Sequence, residues 1–214
     1  MGDTNQPPDA RAIRQFERLT FFSDAVFAIA ITLLVLDLKA PVGAHGEPRL
    51  DKVIPDIVGF VLSFYVIGIY WQAHHALFGR IEREDRLLRQ ANLLFLLTIV
   101  FMPFPTSVLS KFDASATTII FYASSVAAVG VTQAALILVA HRPGIMRPED
   151  LAIGVGQLVS RPLASSVVFL ASIPVAFVAP RRAELFWILL IPTRAVIGRI
   201  ADRVEHRPSA HKLH

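Results

Sequence analysis

The amino-acid sequence predicts an all-α, polytopic membrane protein with six transmembrane helices and both termini on the cytoplasmic side. Three observations carry that expectation: an apolar composition, six long apolar runs, and an uneven distribution of basic residues between them. Of 214 residues, 54% are hydrophobic and 18% charged, too apolar a balance for a water-soluble domain of this length. A charge at the bilayer centre costs roughly 2.5–3.5 kcal/mol, so a membrane chain gathers its charges between its apolar runs. This one does so.

The runs cover residues 21–38, 53–78, 93–109, 117–139, 163–178 and 185–197. A spanning helix needs about 20 mainly apolar residues to cross ~30 Å of hydrocarbon, which leaves the fifth and sixth runs short and suited to tilt or burial. Pro103, Pro105, Pro174 and Pro192 lie within or near the ends of runs and predict kinks, tolerated where neighbouring helices satisfy the freed carbonyls. The runs are continuous and contain Ala and Leu, whereas a β-barrel needs short alternating segments. The first run reads as a retained helix and not a signal peptide. A long polar stretch precedes it, Asp24 interrupts its start, and no small-residue cleavage site comes before Asp37 and Lys39. Residues 1–214 are expected to form a single six-helix transmembrane subunit, with a cytoplasmic arm at 1–18 and a basic cytoplasmic tail at 199–214.

Orientation follows from the basic residues. Arg11, Arg14 and Arg18 precede the first run, and Arg80, Arg83, Arg86 and Arg89 follow the second. Arg142, Arg147 and Arg161 follow the fourth, and Arg194, Arg199, Arg203, Arg207 and Lys212 sit at the carboxyl end. The other side holds Lys39, Arg49, Lys52, Lys111, Arg181 and Arg182, and the positive-inside rule assigns the richer side to the cytoplasm. The formal charge of +4 does not point to nucleic acid, because the arginines sit in short clusters beside apolar runs, where they set topology and meet anionic headgroups. The absence of cysteine removes disulfides, thiolate metal sites and cysteine nucleophiles together. No cofactor is implied. Residues 80–89, which include Glu82, Glu84 and Asp85, read as a helical continuation into water with intrahelical ion pairs. Pro41 to Pro48 reads as an external loop. Asp37, Asp51, Asp56, Asp113 and Glu184 form either a cation-concentrating vestibule or ordinary loop acids.

The first run is the informative one. At 100° per residue, Ile29, Leu33 and Leu36 form one stripe, with Thr32 on its flank and Asp24 turned away. In one helix such a stripe is ordinary packing. Repeated around a shared axis, it becomes a constriction that ions cross partly dehydrated. In the second run, Trp71, His74, His75 and Phe78 recur at i, i+3, i+4 and i+7 and fall on one stripe. Adjacent histidines cannot both point at one ion from a regular helix, and no carboxylate stands at ligand spacing, so a buried polar network outweighs a metal site. A pH-sensing role for these histidines stays open beside the structural one. Asp24 needs a partner in the bundle, and Arg18, His74, His75 and Asn92 are the available ones.

Arg18, three residues, then Phe22-Ser23-Asp24 resembles the hallmark of the transmembrane protein 175 family of potassium channels. Trp71, His74, His75 and Phe78, then Asn92, then Pro103-Phe104-Pro105-Thr106-Ser107, extend the likeness over the first three runs. Runs four to six are similar only in hydropathy and placement. The resemblance implies a pore lined by first helices, with Ile29, Leu33 and Leu36 at the constriction and Thr32 beside them. Arg18, Ser23, Asp24, Trp71, His74, His75 and Asn92 would supply structural polar contacts. It implies a potassium-selective leak channel, a homotetramer because the chain carries one copy of the motif, and a bacterial plasma membrane location. The competing expectation is a proton-coupled transporter using Asp24, His74 and His75 as a relay. Catalysis has no constellation to rest on: Gly-x-Ser-x-Gly, His-Glu-x-x-His and glycine-rich phosphate loops are all missing.

Overall fold

A computed structural model describes residues 8–38, 53–112 and 115–180, together with 182, 183 and 187. Among these, the chain is helical: α1 (Pro8–Leu33), α2 (Ile54–Phe78), α3 (Arg86–Phe101), α4 (Pro103–Lys111), α5 (Ala116–Ala140), α6 (Pro148–Leu151) and α7 (Val155–Val178), with a 3-10 turn at Leu34–Asp37 continuing α1. Five stretches are long and apolar enough to cross a membrane: Ala10–Leu36, Asp56–Phe78, Arg86–Lys111, Ala116–Ala140 and Val155–Val178. The first five runs of the sequence each find a helix. The sixth run apart from Trp187, the loop at 41–48, the tail at 199–214 and the acids Asp51, Asp113 and Glu184 lie outside the described residues, as does the side chain of Asp37.

Several boundaries differ from expectation for local reasons. The first helix begins at Pro8, not Phe21, because nothing between Pro8 and Phe21 breaks a helix. Much of the expected arm is therefore the leading turns of α1. The seventh helix begins at Val155, eight residues before the fifth run, and carries Pro162 and Pro174 inside it. Residues 80–89 are not a continuous helix. The second helix stops at Phe78, residues 82–85 are non-helical, and Asp85 caps α3 by accepting the Leu88 N–H at 2.7 Å. The ion pairs there mostly reach across loops. Asp85 meets Arg142 at 2.9 Å and Arg80 meets Asp150 at 3.7 Å, while Arg89 and Glu84 pair locally at 2.9 Å. Glu82 N–H donates to Ile145 O at 2.8 Å and Arg147 N–H to Arg80 O at 3.0 Å, fastening the two loops together.

Phe16 of α1 stacks on Phe78 at the end of α2, ring centres 5.6 Å apart. That contact and the joined loops bring the three basic clusters, around Arg14, Arg83 and Arg142, to one end of the bundle.

The third span is made of two helices, since Pro103 and Pro105 have no N–H to donate. The chain jogs at Met102, whose carbonyl accepts both the N–H of Thr106 at 3.2 Å and its hydroxyl at 2.8 Å. The central helix is α5, with 56% of its apolar window buried. A Ser115/Thr118 capping box starts it, and α3, α4 and α7 pack around it. The crossing of α5 and α7 is set by Gly130: a Cβ there would stand 2.7 Å from Pro162 O and 3.0 Å from the Tyr70 hydroxyl, and would collide with Ser166 Oγ. Ser166 donates across that contact to Ala127 O at 3.1 Å.

Candidate functional site

The first helix has two unlike faces. Ser23, Phe27, Ala30 and Leu34 recur at spacings of four, three and four and are all buried, the stripe of a helix lying on a core. Phe22, Ile29, Leu33, Val35 and Leu36 stand on the opposite side and are exposed, Ile29 at 58% and Leu36 at 69%. Only 22% of the apolar window of α1 is buried, against 56% for α5. The open face is therefore large, apolar and unmatched by anything described within the chain.

Thr32 belongs to that face and is exposed, but its hydroxyl donates to Ile29 O at 2.9 Å. The bond satisfies the hydroxyl within its own helix while leaving its oxygen lone pairs toward the open side. Just beyond, the helix tightens into the 3-10 turn at Leu34–Asp37. Leu36 thus sits on a narrower spiral than the α-helical wheel assumes, yet remains on the open side.

The buried face of α1 is held by a chain of hydrogen bonds through three helices. Ser23 Oγ donates to Leu19 O at 2.9 Å and accepts from Asn92 Nδ2, also at 2.9 Å. Asn92 Oδ1 lies 2.9 Å from His74 Nε2. Because the amide nitrogen is committed to Ser23, the amide oxygen must accept, and the imidazole donates through Nε2–H. Nδ1 of that ring is buried with no hydrogen-bond partner among the described residues. Aromatic rings enclose the imidazole: Phe78 stacks on it at 4.0 Å, Phe95 at 5.7 Å, and Phe27 leans against it at 5.5 Å. Ser23, His74 and Asn92 are each no more than 1% exposed.

Asp24 is paired differently from expectation. Its Oδ1 accepts the Trp71 indole N–H at 2.9 Å, and neither Arg18, His75 nor Asn92 bonds to it. The reason is placement on the two helices. Ser23 points into the bundle toward α3, and the next residue, 100° further round, points along the α1–α2 seam, where Trp71 lies one turn from His74. The four-residue stripe on α2 divides accordingly. His74 and Phe78 are buried, while Trp71 and His75 are exposed and their rings lie 5.7 Å apart. Arg18 is exposed and outside both sets of bonds. Among the described residues, no group of three or more His, Cys, Asp or Glu side chains could hold a metal ion.

A second polar cluster escaped sequence reasoning. Thr106 Oγ1 lies 2.8 Å from Ser63 Oγ, which lies 3.0 Å from the Tyr122 hydroxyl, joining α2, α4 and α5 inside the bundle. Thr106 belongs to the Pro-Phe-Pro-Thr-Ser run, and its hydroxyl shares the Met102 carbonyl with its own N–H. Buried Trp187 was missed as well. It donates to Ser172 Oγ at 2.8 Å and packs on Tyr122 and Phe169, ring centres 5.1 and 5.3 Å away.

Residues 18–103 match the family described as "Endosomal/lysosomal potassium channel TMEM175", a stretch that contains all of α1's open face and the whole Ser23–Asn92–His74 chain. A potassium channel of Streptomyces collinus is 44% identical over 99 residues, covering 44% of this chain and 48% of that protein. The chain spans about half the length of the bacterial relatives it matches. The human endosomal/lysosomal proton channel TMEM175 is 28% identical over 213 residues, covering 92% of this chain and 42% of the human one. Among solved structures, the crystal structure of a lysosomal potassium-selective channel TMEM175 homolog from Chamaesiphon minutus superposes with a TM-score of 0.73 at 26% identity. That match covers 86% of this chain and 97% of the other.

Proposed function

We propose that this chain, whose residues 18–103 match the TMEM175 family, is a subunit of a potassium-selective leak channel of that family whose pore is lined by the open face of α1. The observation that carries this reading is the exposure of Ile29, Leu33 and Leu36 on a helix whose opposite face is tied into its own subunit. One α1 cannot enclose a conduit, so the reading requires several copies about an axis, and we take a homotetramer as the assembly. The membrane is the cell membrane, with the basic end of the bundle toward the cytoplasm.

Ring upon ring of branched side chains would make a dry neck with no carbonyl filter. A cation entering it must shed part of its hydration, and potassium gives up water at lower cost than sodium. Selectivity then lies in the neck's width and in the hydroxyl of Thr32 beside it. The Ser23–Asn92–His74 chain and the Trp71–Asp24 bond act at a distance from the ion: they fix the rotation of α1 and so which residues reach the axis. Purified protein in liposomes tests this. Potassium should pass faster than sodium, and Ile29→Asn should move the bi-ionic reversal potential toward zero. An unchanged reversal potential removes Ile29 from the filter.

A second reading, proton permeation, is favoured by the match to a relative named as a proton channel over 92% of this chain. A pH-sensitive dye inside the same liposomes reads it directly. Proton-coupled transport through an Asp24, His74 and His75 relay has less support. Asp24 bonds an indole, His74 an amide, and no hydrogen bond joins the three. Saturable flux would favour a carrier.

A further inference from the structure

Away from α1, a cavity of about 180 Å³ opens between α2, α5 and α7 at the basic end of the bundle. Its polar lining is Arg80, Arg161, Gln133 and Gln157, and its walls include Ile137 and Leu158. Among the described residues, no carboxylate lines it. Liquid water takes about 30 Å³ per molecule, so the space exceeds what one or two ordered waters fill. Gln133 is buried, its amide nitrogen donating to Tyr70 O at 3.4 Å, which fixes the floor. Arg80 lies two residues past the end of α2, and its pair with Asp150 outside the cavity is long, 3.7 Å. Arg161 lies six residues inside α7, about 9 Å along the axis at 1.5 Å per residue. Arg161 is exposed and precedes the apolar run of that helix, so its guanidinium stands at the same end of the bundle as Arg80 and on the same cavity wall.

We infer that this cavity binds the phosphate group of an anionic phospholipid, with Arg80 and Arg161 on the phosphate and the acyl chain along Ile137 and Leu158. Two guanidiniums at the headgroup level, backed by apolar walls between spanning helices, suit an amphipathic anion. A free phosphate ion would use only the polar half of the lining. The position of Asp150 gives the site an adjustable element, because the carboxylate competes with the phosphate for Arg80.

The full-length protein in mild detergent, incubated with equal phosphatidylglycerol and phosphatidylcholine, is examined by native mass spectrometry. Phosphatidylglycerol should be retained in preference. Arg161→Gln and Arg80→Gln should each lower that preference about fivefold, the worth of one basic residue at an anionic surface. Asp150→Asn breaks the same ion pair as Arg80→Gln yet should raise the preference. A purely structural pair would instead move both variants the same way, and that result overturns the proposal, as does an Arg161→Gln protein that retains phosphatidylglycerol like the parent. Competition separates the two sources of phosphate. Phosphatidic acid should displace phosphatidylglycerol where equimolar inorganic phosphate does not, and equal displacement by both would overturn the lipid assignment.

Discussion

Replacing Asn92 with leucine should destabilise the bundle by about 2–3 kcal/mol, and the structure indicates where that loss arises. The amide makes two side-chain bonds, each 2.9 Å, and their removal is not symmetrical. Ser23 keeps its own donor bond to Leu19 O and loses only an incoming N–H, worth about 0.6 kcal/mol by the average for interhelical bonds in membranes. The imidazole loses the acceptor for its N–H among Phe27, Phe78 and Phe95, where no water replaces it. An orphaned buried donor costs about 1–3 kcal/mol. The double variant His74→Phe/Asn92→Leu should therefore recover at least ~1 kcal/mol, since an aromatic ring keeps the stacking and has nothing to satisfy. Equilibrium unfolding in mixed detergent, followed by tryptophan fluorescence, measures both. An Asn92→Leu loss below ~0.5 kcal/mol, or a double variant less stable than the single one, would refute the assignment of the penalty to His74.

Gly130→Ala should cost about 1–3 kcal/mol in the same unfolding assay, because its methyl meets the Pro162 carbonyl oxygen and the Ser166 hydroxyl. Gly68→Ala, with open space around it inside α2, should be neutral or stabilising by up to ~1 kcal/mol through helix propensity. The Asp85 carboxyl is held below its ordinary value of 3.8, first by the Leu88 N–H and further by Arg142. A depressed folded value contributes stability that is present above pH 3.8 and is lost as pH falls through the folded value. Acid titration of unfolding should thus show a loss below about pH 4 that is smaller in Asp85→Ala, and equal acid sensitivity in the two proteins would count against it.

How much of this was legible beforehand depended on sequence separation. Hydropathy located the five described spans because each run reports its own solvent. The stripe of Ile29, Leu33 and Leu36 was visible because helical spacing is local. Asp24 found Trp71, and Asn92 found Ser23, across 47 and 69 residues. No periodicity within a helix specifies which way two helices face each other. The arginine-rich stretch after α2 misled for a related reason. Its alternating charges suit i, i+4 pairs, but Asp85 is drawn to a helix cap and to Arg142 on another loop. Gly130 and Trp187 gave no signal because small and aromatic residues are common in apolar runs, and only the crossing of α5 with α7 or the position of Ser172 gives them a role.

The most direct test of a pore lined by α1 uses the chain's natural lack of cysteine. Ile29→Cys and Leu97→Cys, the latter on the exposed face of α3, are reconstituted in liposomes and treated with a charged, water-soluble thiol reagent during potassium flux. Flux through Ile29→Cys should stop while flux through Leu97→Cys continues. If Ile29→Cys is untouched by that reagent and is labelled only by a lipid-soluble maleimide, as Leu97→Cys should be, the open face of α1 meets lipid and not a conduit.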